Sequence, residues 1–128
     1  MPSIYLKDCE PALATKWVVV LLAYQAQYPG KDLIITCTWR SEEEQAELYS
    51  HGRTKPGQIV TQIDGVTKKS NHNHKPARAL DFAVLIGGKI SWDPVEYKPV
   101  GELAVAEGLI WGGNWKTFKD YPHLELPA

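Results

Sequence analysis

The chain has 128 residues, carries 14 Lys and Arg against 15 Asp and Glu, and has a formal net charge of −1 at pH 7. This length suits one domain with its own core, and the scattered basic residues form neither a nucleic-acid groove nor a polybasic membrane surface. No apolar stretch is long enough to span a bilayer and none follows a basic leader as in a secretory signal, so we expect synthesis in the cytoplasm and no membrane insertion.

The first half of the sequence predicts a helix, a strand and a second helix. The first helix covers about residues 8–27, with Pro11 in its first turn, where proline is tolerated. The β-branched and apolar run 32–39 predicts a buried strand. Ser41 is a good helix cap, and the three glutamates after it suit the positive end of a helix dipole. A second helix is therefore predicted over about 41–51.

The second half predicts a long loop, a hairpin, a helix and two short strands. Glycine, proline and polar residues favour a surface excursion over 53–69. Residues 79–92 predict a hairpin that turns at a Gly-Gly pair, and a helix opened by proline follows over 93–108. Short strands are predicted at 109–111 and 123–126. Together these elements predict an α+β fold with a small, mostly antiparallel sheet flanked by helices.

Two histidine-bearing segments and one aspartate could form a metal site. His72 lies in the polar run 70–74, Asp81 lies in the predicted hairpin, and His123 begins the last predicted strand. A catalytic zinc needs three protein ligands and leaves a fourth position for water, whose pKa it lowers. The loose spacing leaves an alternative open: a solvated loop histidine, a turn-capping aspartate and a hydrogen-bonded histidine near the carboxy terminus.

Two further charged residues could take part in catalysis. Asp120 stands three positions before His123, where a carboxylate could accept a proton from an attacking water. Its alternative role is to close a local turn before the Tyr-Pro pair. Arg40, at the end of a predicted strand, could stabilise an oxyanion or hold a substrate carboxylate. Alone, an arginine at such a position is more often a surface ion-pair partner.

Five ordered motifs run from about Leu33 to Leu126. In chain order they read Thr38-Trp39-Arg40-Ser41-x-x-x-Gln45, Gly52-Arg53-Thr54-x-Pro56-Gly57-x-Ile59-Val60-Thr61, Ser70-x-His72-Asn73-x-x-Pro76-x-x-Ala79-x-Asp81, Trp111-Gly112-Gly113-Asn114-Trp115 and Asp120-x-x-His123-x-Glu125. The set resembles the phage L-alanyl-D-glutamate peptidases. These belong with the D-alanyl-D-alanine metallopeptidases and share a fold with the hedgehog signalling domain.

The resemblance implies roles for the charged residues of these motifs. Zinc would be bound by His72, Asp81 and His123. Asp120 would be the catalytic carboxylate, and Arg40 would polarise the scissile carbonyl or stabilise the tetrahedral intermediate. These assignments come from the matched motifs. The resemblance also implies a fold like that of the D-alanyl-D-alanine peptidases and the hedgehog domain.

One ligand assignment has a competitor. The commoner form of the family motif has six residues between the first histidine and the aspartate, whereas His72 and Asp81 have eight between them and His74 and Asp81 have six. We favour His72, because Ser70 stands two positions before it as the family pattern requires. The resemblance also implies that Ser70 and Gln45 line the site and contact substrate.

The implied function is that of a zinc-dependent peptidoglycan endopeptidase that hydrolyses the L-alanyl-D-glutamate bond of cell-wall stem peptides. We expect residues 1–128 to form a single catalytic domain, without a separate wall-binding domain, and to act as a monomer. By family analogy such an endolysin is made in the host cytoplasm and reaches the wall after release by a holin. Two alternatives are a D-alanyl-D-alanine carboxypeptidase or dipeptidase and a non-catalytic zinc-stabilised binding domain.

Overall fold

The computed structural model describes residues 2–65 and 68–128. This part of the chain contains three α-helices, five β-strands and two short 3-10 turns. In chain order they are a turn at Leu6–Asp8, α1 (Pro11–Gln27), β1 (Lys31–Cys37), α2 (Glu42–Ser50), β2 (Ala79–Ile86), β3 (Lys89–Ser91), α3 (Pro94–Ala106), β4 (Ile110–Trp111), a turn at Gly112–Asn114 and β5 (His123–Glu125). The predicted order of elements and the α+β class are confirmed.

Strand β2 is central in an antiparallel sheet with the order β1-β2-β5-β4. β1 pairs along one edge of β2 and places Leu33 opposite Val84. The other edge of β2 is shared by two strands: β3 pairs with residues 84–86, and β5 pairs with residues 79–81. Because β2 has neighbours on both edges, it fixes where every other part of the sheet lies.

The core lies between one face of this sheet and the helices α1 and α3. Buried side chains of α1 recur every three or four residues, as one face of a helix requires, at Leu13, Trp17, Val20 and Tyr24. The Phe82 ring of β2 lies 5.8 Å from the Trp17 ring and 5.3 Å from the Tyr97 ring of α3. Full burial of each such side chain stabilises the fold by about 1.5–3 kcal/mol. Because successive strand residues alternate between faces, Asp81 lies on the face opposite Phe82 and the helices.

Helix α1 begins later than the sequence predicts, at Pro11 instead of about residue 8. Cys9 forms an isolated β-bridge with Ala77, and its backbone is extended, with φ −91° and ψ 154°. Glu10 therefore takes the capping position. A long-range backbone pairing has overridden the local helix signal, and it ties the amino-terminal segment to the chain just before β2.

Helix α2 begins as Ser41 predicts, at a reciprocal capping box. Ser41 Oγ accepts a hydrogen bond from the Glu44 backbone N–H at 3.0 Å, and the Glu44 carboxylate accepts one from the Ser41 N–H at 2.9 Å. After α2, residues 51–65 and 68–78 contain no regular helix or strand, which agrees with the predicted surface excursion. Within the described ranges, no helix combines the length and the apolar content needed to cross a membrane.

Gly101 allows α3 to approach β4 closely. A Cβ at this position would overlap the Trp111 indole, which is buried and donates its Nε1–H to the Tyr121 carbonyl oxygen at 2.7 Å. We expect Gly101→Ala to lower the free energy of unfolding by about 1–3 kcal/mol, despite the higher helix propensity of alanine. Chemical denaturation measures this, with exposed Glu102→Ala on the same helix as the control. Equal or greater stability of Gly101→Ala would contradict the close approach.

Candidate active site

Strand register places three chemically active side chains in a row across the sheet. Cys37 of β1 pairs with Asp81 of β2, and Asp81 pairs with His123 of β5. Directly paired residues of antiparallel strands project to the same face. A thiol, a carboxylate and an imidazole from motifs far apart in the sequence therefore share the face that the helices leave open.

A tight turn before β2 brings His72 to this row. Ser70 Oγ accepts a hydrogen bond from the His72 backbone N–H at 3.2 Å, and the Asn73 N–H donates to the Ser70 carbonyl oxygen at 2.9 Å. The Asn73 side chain donates to the Arg40 carbonyl oxygen at 2.8 Å, which anchors the turn to the segment after β1. His72 is only 2% exposed, whereas His74 is exposed. The turn thus directs His72, and not His74, toward the row.

Asp81 lies between two imidazoles. Its Oδ1 atom is 3.1 Å from Nε2 of His72 and 3.2 Å from Nδ1 of His123. The other nitrogen of the His72 ring is 2.7 Å from the Thr38 carbonyl oxygen. The other nitrogen of the His123 ring is 2.7 Å from Glu125 Oε1. Because both outer partners are acceptors, they fix the tautomer that each ring takes when it loses a proton, with the lone pair directed toward Asp81.

The same three side chains shift one another's pKa values. Burial lowers the pKa of His72, but the Asp81 carboxylate outweighs burial and raises this pKa to about 10. Burial also lowers the pKa of His123, and its hydrogen bonds with Asp81 and Glu125 raise it to about 9. Burial alone would raise the pKa of Asp81, yet the charge of His72 and the contacts with His123 hold it far below its ordinary value. A divalent cation would compete with these protons.

Several donor atoms of this cluster lie close enough together to hold a divalent metal ion. Ligand atoms about 2.0–2.2 Å from a tetrahedral zinc are about 3.3–3.6 Å apart, slightly more than the 3.1 Å and 3.2 Å from Asp81 Oδ1 to the two rings. Two groups of three residues have ligand atoms that lie within 4.8 Å of one another inside each group. One group is Cys37, His72 and Asp81, and the other is Asp81, Asp120 and His123. Neither group contains both histidines, and Asp81 is the member that the two groups share. The described residues thus provide a group able to hold a metal.

Asp120 lies beside the predicted ligands. Its backbone N–H donates to the Gly112 carbonyl oxygen at 3.0 Å, and a Cβ on Gly112 would overlap the Asp120 carbonyl. Its Oδ2 atom is 3.9 Å from Nδ1 of His123, and 39% of its side chain is exposed. Burial of the carboxyl group and the neighbouring Asp81 carboxylate raise the pKa of Asp120. A carboxyl group with a raised pKa is suited to accept and return a proton.

Arg40 extends its guanidinium toward the same cluster. Its Nη2 atom is 3.5 Å from Asp81 Oδ2, and its Nη1–H donates to Gln45 Oε1 at 2.7 Å. The side chain is 12% exposed, and its buried Nε–H has no hydrogen-bond acceptor among the described residues. Because buried donors are nearly always paired in folded proteins, this unpaired N–H is an exception within the cluster.

One cavity of about 740 Å³ contains the whole predicted site. Its lining includes all seven predicted residues: Arg40, Gln45, Ser70, His72, Asp81, Asp120 and His123. The rest of the wall is partly apolar and partly cationic, and it includes Leu48, Val60, Ile63, Trp115, Phe118, Lys68 and Lys69. The site is therefore a floor of acidic and basic side chains beneath mixed walls.

Three residues that contact the site received no role from the sequence. Glu125 follows His123 by two positions in β5, and strand alternation could have placed it on the same face. The Trp115 ring lies 5.1 Å from the His123 ring, and Cys37 Sγ lies 3.8 Å from His72 Nδ1. These last two contacts depend on a loop path and on strand pairing, for which a single sequence holds no signal.

Sequence comparisons relate the chain to cell-wall peptidases. Residues 64–126 match a family model described as D-alanyl-D-alanine carboxypeptidase. The chain is 46% identical over 108 residues to the peptidoglycan L-alanyl-D-glutamate endopeptidase CwlK of Bacillus subtilis (strain 168), covering 76% of this chain and 62% of CwlK. It is 32% identical over 83 residues to the L-alanyl-D-glutamate peptidase of Listeria phage A118, covering 62% of this chain and 29% of the phage protein. The chain thus spans less than two thirds of either relative.

A solved structure supports the fold. The crystal structure of Serratia marcescens L-Ala D-Glu endopeptidase ChiX superposes with a TM-score of 0.74 and 23% sequence identity, covering 95% of this chain and 83% of that chain. This likeness confirms the predicted fold. The sequence matches confirm the resemblance to L-alanyl-D-glutamate peptidases that the five motifs indicate.

Zinc binding should release protons from the two histidines. Because their pKa values are raised to about 10 and about 9, both imidazoles are protonated at pH 7, and a metal must displace those protons. We expect about two protons released per zinc at pH 7, and a zinc affinity that falls as the pH falls. Calorimetry in buffers of different ionisation enthalpy measures this number. Release near zero at pH 7 would contradict metal binding by His72 and His123.

Glu125 should strengthen metal binding without touching the metal. Loss of its hydrogen bond frees the His123 ring to rotate and lowers its basicity. We expect Glu125→Ala to weaken zinc binding about 10–100-fold, measured by competition with a chromophoric chelator. Glu102→Ala, an exposed position on α3, serves as the control. Unchanged affinity in a folded Glu125→Ala protein would show that the His123 orientation does not depend on this contact.

Proposed function

We propose that this chain is a zinc-dependent peptidoglycan endopeptidase that hydrolyses the L-alanyl-D-glutamate bond of cell-wall stem peptides. The observation that carries the proposal is the convergence of two imidazoles on Asp81, with Asp120 and Arg40 beside them, on the floor of one cavity. Two relatives named for cleavage of this bond support the choice of substrate. The protein would act on the bacterial wall.

We infer that the metal is zinc and that His72, Asp81 and His123 hold it. Two imidazole nitrogens and one carboxylate oxygen are a ligand set used by catalytic zinc sites. When bound there, zinc would supply a Lewis acid and lower the pKa of a water molecule. The Thr38 carbonyl oxygen and Glu125 would keep the two rings in the orientation that ligation requires.

Asp120 would move the proton during hydrolysis. Its carboxylate can accept a proton from the water that attacks the scissile carbonyl, and the resulting acid can return that proton to the departing amine nitrogen. Because the pKa of Asp120 is raised, its protonated and ionised forms differ less in free energy near neutral pH than those of an ordinary aspartate. The Asp120 side chain is partly exposed and lines the cavity beside His123, where a water molecule and a peptide bond would lie.

Arg40 would stabilise the oxyanion that forms at the scissile carbonyl. Its guanidinium lies on the cavity floor and keeps a buried Nε–H without an acceptor among the described residues. A cation held in a fixed orientation stabilises developing negative charge more strongly than mobile water does. The rigid contacts of its other nitrogens mean that little reorganisation is needed during the reaction.

One observation favours a second candidate, removal of a terminal D-alanine. The family model that matches residues 64–126 is described as D-alanyl-D-alanine carboxypeptidase. Such trimming requires a cation for the free carboxylate next to the cut bond, and Lys68 and Lys69 lie on the cavity wall. Lys69 is already paired with Glu42 at 2.9 Å. The names of both sequence relatives favour the endopeptidase.

Replacement of the proposed proton carrier should separate catalysis from metal binding. We expect Asp120→Asn to lower turnover of purified peptidoglycan about 10²–10⁴-fold, because the amide cannot accept the proton, while bound zinc is retained. Mass spectrometry of released fragments measures the rate and the bond cut, and Lys116→Ala on the same loop is the control.

Fragment identity decides between the two candidates. A new amino-terminal D-glutamate and a free L-alanine carboxylate support the endopeptidase, and released D-alanine supports trimming. Full activity in a folded, zinc-loaded Asp120→Asn protein would contradict the role of Asp120. No cleavage by the zinc-loaded wild type would contradict the proposed function.

A further inference from the structure

We infer that Gln45 is a positioning residue, which holds the Arg40 guanidinium in its catalytic orientation and joins it to the cavity wall formed by residues 61–63. The resemblance implies instead that Gln45 contacts substrate. The inference rests on the proposed function, since it assigns Gln45 a role in the same reaction.

The hydrogen bonds of Gln45 are taken up within the protein. Its side chain is buried, with 1% of the residue exposed. Oε1 accepts the Arg40 Nη1–H at 2.7 Å, while Nε2 donates to Thr61 Oγ1 at 3.2 Å and to the Ile63 carbonyl oxygen at 2.8 Å. A primary amide has two N–H donors, and both have acceptors here. Gln45 therefore has no donor left for a substrate.

Packing fixes the conformation of the Gln45 side chain. Gly65, with φ +82°, passes so close that a Cβ there would lie 2.9 Å from Gln45 Cβ and 3.0 Å from Gln45 Cγ. Only a glycine suits both this backbone conformation and this contact. The loop after α2 thus closes directly over Gln45, and the amide group cannot turn away from Arg40 without moving that loop.

Among the described residues, Gln45 makes the shortest contact with the Arg40 guanidinium. The Arg40 nitrogens lie 3.5 Å from Asp81 Oδ2 and 3.5 Å from Cys37 Sγ, against 2.7 Å to Gln45. The amide is also neutral. It can orient the guanidinium without cancelling the charge that an oxyanion needs, whereas a carboxylate in this place would neutralise that charge.

A double-mutant cycle tests whether Gln45 acts through Arg40. Gln45→Met keeps the side-chain length but makes no such hydrogen bonds, and Gln58→Ala, an exposed glutamine of the loop after α2, is the control. On a purified wall peptide we expect Gln45→Met to lower kcat about 10–100-fold with little change in KM. In the Arg40→Ala background the same change should cost no more than about threefold. An equal loss in both backgrounds would overturn the inference.

A milder variant keeps the test valid if Gln45→Met does not fold. Thr61→Val keeps the side-chain shape at a half-buried position but removes the hydroxyl that accepts hydrogen bonds from the Gln45 amide and from the Ile63 N–H. We expect about a 2–5-fold loss of kcat that disappears in the Arg40→Ala background. A loss that persists there would mean that the cavity wall acts independently of Arg40.

A readout without catalysis separates this inference from the proposed function. The Arg40 Nε–H signal in nitrogen–proton NMR spectra should be sharp in the wild type and in Gln58→Ala, and broadened or lost in Gln45→Met or Thr61→Val. A wild type that cleaves no wall peptide contradicts the proposed function, and the NMR comparison still decides the positioning role. An Arg40 signal unaffected by either variant would overturn the inference.

Discussion

The site depends on one carboxylate shared by two imidazoles. Asp81 Oδ1 lies 3.1 Å from His72 and 3.2 Å from His123, and each ring has a fixed acceptor on its far side. Three partly opposed charges in a buried space are stable only when each donor and acceptor is satisfied. The strands, the turn before β2 and helix α2 with Gln45 together hold that geometry.

The fold supplies this geometry through a simple division of the sheet. Strand β2 presents Phe82 to the helices on one face and Asp81 to the cavity on the other, so stability and chemistry depend on alternate residues of one strand. Pairing with β5 sets His123 beside Asp81, and the Gly112–Asp120 backbone contact sets the proton-carrying carboxyl group beside His123. A shift of β5 by one residue would turn His123 to the wrong face.

Much of this architecture could be predicted, because its signals are local. The capping serine of α2, the alternation and turn of the β2–β3 hairpin and the proline that opens α3 each act over a few residues. The choice of His72 over His74 could be argued only from the family pattern, and it agrees with the buried position of His72. The late start of α1 at Pro11 and the roles of Gln45 and Glu125 arise from partners distant in the chain, so they required the structure.

The central claim is that His72, Asp81 and His123 bind one catalytic zinc. Anomalous diffraction at the zinc edge, from crystals of the zinc-loaded protein, tests it most directly. The account predicts a single peak about 2.0–2.2 Å from Nε2 of His72, a carboxylate oxygen of Asp81 and Nδ1 of His123. A peak bonded to Cys37 Sγ, or no peak within bonding distance of both histidines, would contradict it.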